Sequence, residues 1–432
     1  MLTAASWTFD SLAHAVNIAG AEAGMRLRYD RTAVAHWLSG THPQGQVPAL
    51  IAEVLTRRLG RVVTLFEVGL GHADADSVQR GRIDGTAALA ELILTDLDPV
   101  GHNLLARSTY QLDTLVVPPW PGSTRQFRPG IQRRFRPKGP GHQAHIAQHI
   151  VGVFAATNHR FGSGHIRNAL TAYLAHDILP QLGTSGSETT ERELLSAATD
   201  LTLLIGFVCF DSNEHGLAQR YYRATLELAV LSGDPIRYAI VLRALSQQAC
   251  YLGHGAPALR LAFAALTAAN GIAPQHTNAF LHAQVSLCYA TLGDHHSALA
   301  HYQSARDSLS LAVGPPPTFG SYHQGELAYH AASIRAFDGD TSGAITALRT
   351  ALRHYPTAER RSRVLTLGTL AERQLDLGQL AYACATAYRF LDNYPHVCSG
   401  RASTALYALH ERLQQFRDHP AARKLLRHAS TL

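Results

Sequence analysis

Residues 246–258 read SQQACYLGHGAPA and residues 286–298 read SLCYATLGDHHSA, and the pattern that they share decides the fold. In both segments a glycine follows the first serine by seven positions and precedes the last alanine by five. Glycine accepts the left-handed backbone conformation that commonly ends a helix, and small side chains allow two helices to approach closely. Each segment is therefore predicted to join two helices through a tight turn.

The same pattern recurs through the C-terminal half of the chain. Its turn residues are Asn213, Gly253, Gly293, Gly339 and Gly378, at separations of 40, 40, 46 and 39 residues. The preceding small residues are Gly206, Ser246, Ser286, Ala332 and Ala371, and the following alanines are Ala218, Ala258, Ala298, Ala344 and Ala383. Pro356 and Pro395 stand where the second helix of a pair must stop. Repeated helix pairs of about forty residues predict an all-α solenoid, because one pair alone cannot bury its apolar face.

These offsets resemble those of the tetratricopeptide repeat over about residues 194–396. The resemblance implies a tetratricopeptide-like α-solenoid with a concave binding surface. Residues 142–183 are expected to add one or two helices before the repeats, and residues 401–429 a terminal pair.

The register of the repeats predicts which side chains face the concave groove. They are Asp200, Phe207, Arg243, Gln247, Tyr251, Glu326, Tyr329, Ser333 and Glu372. This polar and aromatic mixture favours a peptide, a small ligand or a protein partner. A self-association or intramolecular surface is an equally good interpretation of the same residues.

The N-terminal seventy residues contain several short helical patterns separated by turn signals. Asp30 is a suitable N-cap, Gly40 a suitable C-terminal stop, and Pro48 fits the first turn of a following helix. The stretch 64–70, TLFEVGL, is expected to form a further short helical segment.

Within residues 31–40, RTAVAHWLSG, the side chains Val34, Trp37 and Leu38 fall on one apolar helix face. The opposite face is short and polar, of a size that fits the major groove of double-stranded DNA. The predicted base or groove contacts are Arg31, Thr32, Ala35 and His36, and the predicted phosphate contacts are Arg26 and Arg28.

Thr32, Val34, Trp37 and Gly40 match a Thr-x-Val-x-x-Trp-x-x-Gly segment, which resembles the recognition helix of Cro-like, xenobiotic-response-type helix-turn-helix repressors. Together with residues 47–61, VPALIAEVLTRRLGR, it is similar to actinobacterial regulators that join such a module to tetratricopeptide repeats. The resemblance implies transcriptional regulation through DNA. Here the family's first helix is truncated, and the link between the second and third helices is longer than a tight turn.

The predicted domains are a helix-turn-helix module over 1–70, a connector over 71–141 and the repeat domain over 142–432. Helices are expected over 84–97 and near 103–112 in the connector. Its Pro- and Arg-rich run is interpreted as a stiff linker, with nonspecific nucleic-acid contact as the alternative. The residues for that contact are Arg125, Arg128, Arg133, Arg134, Arg136 and Lys138, interleaved with Trp120, Phe127 and Phe135.

Composition narrows the function classes further. The net charge of +6 is too mild to demonstrate an anionic partner by itself. The chain has neither a signal-peptide pattern nor an 18-residue apolar window, which predicts a cytoplasmic protein away from membranes. The five cysteines lack CxxC spacing, so disulfides are not predicted.

Catalytic motifs are not found, so the sequence predicts neither an enzyme nor a cofactor. His142, His145 and His149 share a helix face, but nearby carboxylate or thiol ligands are lacking, and a metal is not predicted. The sequence thus predicts a DNA-binding, homodimeric regulator whose repeats sense a partner. The alternative is a protein-interaction scaffold that does not bind DNA.

Overall fold

The computed structural model describes residues 1–61, 63–70, 85–112, 120, 140–183, 187–314, 317–319 and 322–429, and these are all-helical, without strands. The α-helices are α1 Leu2–Ala5, α2 Phe9–Glu22, α3 Arg31–Leu38, α4 Val47–Leu59, α5 Gly85–Leu97, α6 Pro99–Ala106, α7 Pro140–Phe161, α8 Arg167–Tyr173, α9 Glu188–Asp211, α10 His215–Ser232, α11 Pro235–Tyr251, α12 Gly255–Ala269, α13 Gln275–Thr291, α14 His295–Ser310, α15 Gln324–Phe337, α16 Thr341–His354, α17 Arg360–Asp376, α18 Leu380–Asn393, α19 Gly400–Gln414 and α20 Pro420–Ala429. A π-helical turn, Leu174–Ile178, and a 3-10 turn, Leu179–Gln181, continue α8.

The helices from α9 to α18 pack as five consecutive pairs, and each pair also contacts the next. The five predicted turn residues all have positive φ: Asn213 at 65°, Gly253 at 84°, Gly293 at 80°, Gly339 at 79° and Gly378 at 69°. The turn prediction is confirmed, because every one of these residues separates the two helices of a pair. The paired architecture is that of an all-α solenoid.

Small residues lie where the two helices approach each other in the first three pairs. The Ser246 hydroxyl donates to the carbonyl of Ala258 at 2.8 Å, and Ser286 donates to Ala298 at 2.6 Å. At Gly206 a Cβ would lie 2.6 Å from ring carbons of Tyr222. In the pairs α11–α12 and α13–α14, the small residue before the turn therefore contacts the alanine after it.

Gly206→Ala is expected to destabilise the protein by about 1–2 kcal/mol, since the new methyl group must displace a fully buried ring. Gly152→Ala is the matched control, because Gly152 also lies inside a helix but has nothing within 4 Å of its virtual Cβ. There the substitution should stabilise by about 0.5–1 kcal/mol. Urea unfolding measures the change in the free energy of unfolding for both variants. A change of the same sign in the two variants would contradict this packing.

The last helix pairs of the array return to its first pair. Helix α7 packs against both α9 and α17. The Cys398 amide donates to the carbonyl of Phe161 at 2.8 Å, and the Gly164 amide donates to the carbonyl of Cys398 at 3.1 Å. We call these two segments, 161–164 and 397–400, the seam. A Cβ at Gly162 would lie 2.4 Å from the Cys398 oxygen, so the glycine allows this approach.

Helix α9 is the central helix of this closed arrangement. It is the one helix among the described residues that is long and apolar enough to cross a membrane, with a mean hydropathy of 1.7 over its best window. That window is 83% buried inside the fold, which is typical of a core helix. The apolar composition of α9 is accounted for by its contacts with α7, α10 and α11.

In the N-terminal part, α2 packs on α3 and α4, and α1 packs on α4. The prediction that Leu38 belongs to the buried face was wrong, because α3 ends there and Leu38 is 59% exposed. Residues 64–70 form turns, not the expected helix, with the Leu70 amide donating to the Leu65 carbonyl.

In the connector, α5 matches the expected helix from residue 85 onward. The helix expected near 103–112 instead spans Pro99–Ala106, because Asp98 caps it by accepting from the Gly101 amide at 2.7 Å. Most of the Pro- and Arg-rich run, with its six basic residues, lies outside the described residues. Trp120 is described, and its ring centroid lies 5.0 Å from that of Tyr238.

One buried arginine fastens the N-terminal helices to the array. Arg57 of α4 donates to Glu22 at 2.7 Å, to Glu53 at 2.8 Å and to the Tyr110 carbonyl at 3.1 Å. Tyr110 is 1% exposed and stacks on His254 with ring centroids 5.6 Å apart. The segment around Tyr110 therefore lies between α4 and the second helix pair.

Candidate DNA-binding surface and inner face of the array

The residues predicted to contact DNA all lie on the surface. Arg26, Arg28, Arg31, Thr32, Ala35 and His36 are exposed. Val34, on the opposite side of α3, is fully buried and Trp37 is half-buried. The short helix therefore presents the predicted polar face outward, with two arginines on the segment before it.

The segment that precedes α3 is held by specific polar contacts. The Asn17 side chain donates to the Tyr29 carbonyl at 2.8 Å and accepts from the Tyr29 amide at 2.9 Å. The Asp30 carboxylate caps α3 by accepting from the Ala33 amide at 3.0 Å. Tyr29 then packs edge-on against Trp37, with ring centroids 4.9 Å apart. These contacts fix where the Arg26 and Arg28 backbone runs relative to α3.

The arrangement of α2 and α3 differs from a tight helix-turn-helix. Helix α2 ends at Glu22 and α3 begins only at Arg31, so the intervening segment is longer than a three- or four-residue turn. A Cβ at Gly20 would lie 2.4 Å from the Leu27 side chain, so the glycine lets this segment fold back onto α2.

Of the predicted groove residues, Asp200 is committed to an internal ion pair. Arg237 donates to both of its carboxylate oxygens, each at 2.9 Å, and Asp200 is only 5% exposed. The pair ties α9 to the start of α11. Asp200 is therefore not available to a ligand in this arrangement.

Arg243 is buried and Glu326 is half-buried in the predicted groove. The Arg243 guanidinium lies 3.8 Å from the ring centroid of Phe280, and its Nε has no hydrogen-bond partner among the described residues. Burial lowers the pKa of Arg243 to about 10 and raises the pKa of Glu326 to about 7. Water therefore solvates the side chains of Arg243 and Glu326 poorly.

The neighbouring His323 forms an ion pair with Glu359, at 3.0 Å between Nε2 and Oε1. Burial acts to lower the pKa of His323, but the hydrogen bond to Glu359 and the negative charges of Glu326 and Glu359 together outweigh it, and the pKa is raised. The pair links α17 to the residue that caps α15.

Phe207 and Tyr251 are covered by arginines from the far end of the chain. The Arg361 guanidinium lies 4.6 Å from the Phe207 centroid, and the Arg401 guanidinium lies 4.9 Å from that of Tyr251. Arg361 also donates to the fully buried Asp211 at 3.0 Å. The intramolecular interpretation of these groove residues thus has direct contacts, which sequence separation concealed.

The remaining predicted groove residues, Gln247, Tyr329, Ser333 and Glu372, are half-buried. Gln247 accepts from Arg243, and the Ser333 hydroxyl donates to the Tyr329 carbonyl at 3.2 Å. Burial raises the pKa of Glu372. The predicted groove residues thus lie on the first helices of the pairs, namely α9, α11, α15 and α17. Several of them are bonded to, or packed against, other residues of the chain.

A buried polar cluster elsewhere resembles catalytic machinery in composition. Asp96 accepts from Arg167 at 2.6 Å, from His102 at 2.8 Å and from Tyr221 at 2.7 Å. Cys209 lies nearby, but it is fully buried, and burial raises the pKa of its thiol. A nucleophilic cysteine needs the opposite shift and solvent access, so this cluster fastens α5, α6, α8 and α10 together.

The histidines considered for a metal do not converge with further ligands in the described part of the chain. His145 and His149 are exposed on α7, and the side chain of His142 lies outside the described residues. Among the described residues, histidine, cysteine, aspartate and glutamate side chains form no group of three or more that could hold a metal ion.

The described residues form an all-helical protein in which a small N-terminal helical module is attached to a closed array of helix pairs. A family model described as the SP15 N-terminal domain matches residues 1–71. The comparison with curated proteins finds no match to the chain.

Proposed function

We propose that the protein is a DNA-binding transcriptional regulator in which the helix pairs are tetratricopeptide-like repeats that sense a partner and support dimerisation. The observation that carries the proposal is the surface of α3 and the segment before it. Arg26, Arg28, Arg31 and His36 are all exposed there, while Val34 anchors the helix beneath them. Such an arrangement suits arginines on phosphates and a short helix face on base edges.

The array supports the sensing part of this proposal. The predicted groove residues include half-buried polar and aromatic side chains, namely Gln247, Tyr329, Ser333 and Glu372, which are suited to recognising a peptide. A homodimer would let two short modules read two half-sites, which such modules need for affinity.

The double variant Arg31→Ala with His36→Ala is expected to lose at least about tenfold in affinity for specific DNA, because a base contact by arginine contributes about 1–3 kcal/mol. Genomic DNA fragments that the wild-type protein captures are sequenced to identify a binding site. The affinity of each variant for that site is then measured by titration at a fixed salt concentration. Arg306→Ala, an exposed arginine on α14, is the matched control and should leave the affinity unchanged. Undiminished capture by the double variant would refute DNA binding through α3.

A second candidate is a protein-interaction scaffold without DNA binding. The observation that favours it is the long segment 23–30 between α2 and α3, which departs from the tight turn of DNA-binding modules. In that case, affinity capture with wild type and with the Arg31→Ala/His36→Ala variant is expected to recover the same partner proteins and no enriched DNA.

A further inference from the structure

Three aromatic side chains form a compact group between helices α9, α10 and α11 of the first two helix pairs. Phe210 and Tyr251 meet edge to face with centroids 5.3 Å apart, and His215 lies 5.7 Å from each of them. Phe210 and His215 are almost completely buried, whereas Tyr251 is 44% exposed. We call Phe210, His215 and Tyr251 the aromatic cage.

The aromatic cage holds a cation supplied by the chain itself. The Arg401 guanidinium lies 5.1 Å from the Phe210 centroid and 4.9 Å from the Tyr251 centroid, within the range of a cation–π contact. Its Nε is buried without a hydrogen-bond partner among the described residues. Arg401 is therefore held by the faces of rings, with no carboxylate bonded to its buried Nε.

The electrostatics of the cage suit a cation. Burial lowers the pKa of His215 to about 4, assisted by the positive charges of Arg401 and Arg57. The imidazole is consequently neutral at physiological pH, so it adds no positive charge beside the guanidinium.

Arg401 belongs to the first turn of α19, immediately after the seam. At this junction the Asn213 side chain donates to the Thr404 hydroxyl at 3.0 Å, and Ser212 lies against Gly400, where a Cβ would be 2.7 Å from its carbonyl oxygen. The first turns of α19 therefore both place Arg401 in the aromatic cage and contact residues 212–213. Whatever displaces Arg401 also removes a contact that keeps the array closed.

We propose that the aromatic cage is a binding site for an arginine side chain presented by a partner peptide, and that Arg401 occupies it as a built-in competitor. This deepens the proposed sensing function and rests on it. A peptide that supplies its own guanidinium would replace Arg401 and release the seam between residues 161–164 and 397–400. The chain's own residue identifies the ligand chemistry, since the cage is already seen to accept a guanidinium.

The test uses the full chain and N-acetyl-L-argininamide as the probe, with its uncharged isostere N-acetyl-L-citrullinamide as the control ligand. Arg401→Ala is expected to bind the arginine probe at least tenfold more tightly than wild type in a ligand-observed NMR titration. Tyr251→Leu in the Arg401→Ala background should abolish that binding. Arg349→Ala, which removes an exposed arginine of α16, should behave like wild type.

Amide exchange provides a second measurement that reports the seam directly. In Arg401→Ala the amides of Cys398 and Gly164 should exchange at least tenfold faster than in wild type and in Arg349→Ala, with the melting temperature recorded to verify folding. Equal probe affinity in wild type and Arg401→Ala, binding that survives Tyr251→Leu, or unchanged exchange at the seam would each overturn the proposal. Its failure leaves DNA binding by α3 unaffected, because that is measured with the Arg31→Ala/His36→Ala variant.

Discussion

Arg57→Met is expected to lower the free energy of unfolding by about 3–5 kcal/mol, because it leaves two buried carboxylates without their shared cation. Glu22 and Glu53 have side chains that are 14% and 6% exposed, and both are bonded to this arginine. Burial already raises the pKa of Glu22 despite the presence of Arg57. The substitution also removes the hydrogen bond to the Tyr110 carbonyl, one of the contacts that join α4 to the segment around Tyr110.

Urea unfolding at pH 7 measures this effect. The matched control is Arg192→Met, which removes an arginine from a pair with Glu188 whose two side chains are 66% and 72% exposed. An exposed pair of this kind contributes under about 1 kcal/mol. A loss below about 1 kcal/mol for Arg57→Met would mean that the carboxylates find water or protonate at little cost, contrary to their burial.

The fold of the array was accessible from the sequence because its signals are local. Gly206 and Ser246 lie within one hairpin of the residues that they contact, so their spacing encodes the packing directly. The left-handed conformation at Asn213 followed from the same register. Capping by Asp30 and the outward face of α3 are equally short-range effects.

The contacts that close the molecule were not accessible in this way. Gln219 exchanges two hydrogen bonds with the backbone of Gln111, 108 positions away in the chain, and Arg361 reaches Asp211 over 150 positions. Periodicity indicates that a residue faces inward, but it does not identify the distant partner. Arg401 carried no sequence signal at all, since its role depends on the array returning to its own beginning.

Acidification is expected to destabilise the folded state through five buried or half-buried histidines that are held neutral in it. Burial is the main cause that lowers the pKa of His254 to about 3 and those of the other four to about 4, namely His159, His215, His282 and His330. Unfolded histidine has a pKa near 6.5, so above that value neither state gains a proton and stability is retained. Below it the unfolded state takes up protons first, and each histidine costs on the order of 1–2 kcal/mol by pH 5.

Glu326 acts with the opposite sign. Burial raises its pKa to about 7, so the folded state binds a proton more readily than the unfolded state between about pH 7 and its unfolded value of 4.5. Its contribution therefore increases as the pH falls through this window. One such carboxyl offsets about one of the five histidines. Burial also raises the pKa values of Glu22, Asp200, Glu214, Glu227 and Glu372, and these carboxyls act in the same direction as Glu326. The histidine contribution is therefore measured with a single variant and not from the unfolding curve of the wild type alone.

His254→Phe isolates one term of this pH dependence. The Nε2 atom of His254 has no hydrogen-bond partner among the described residues, and phenylalanine can keep the parallel stack on Tyr110. The variant is expected to match wild type at pH 7 and to exceed its stability by about 1–2 kcal/mol at pH 5, as measured by urea unfolding at both values. His354→Phe, at an exposed position, serves as the matched control. If His254→Phe gains nothing on acidification relative to wild type, the imidazole is solvated well enough to protonate in place, and the stack on Tyr110 does not exclude water.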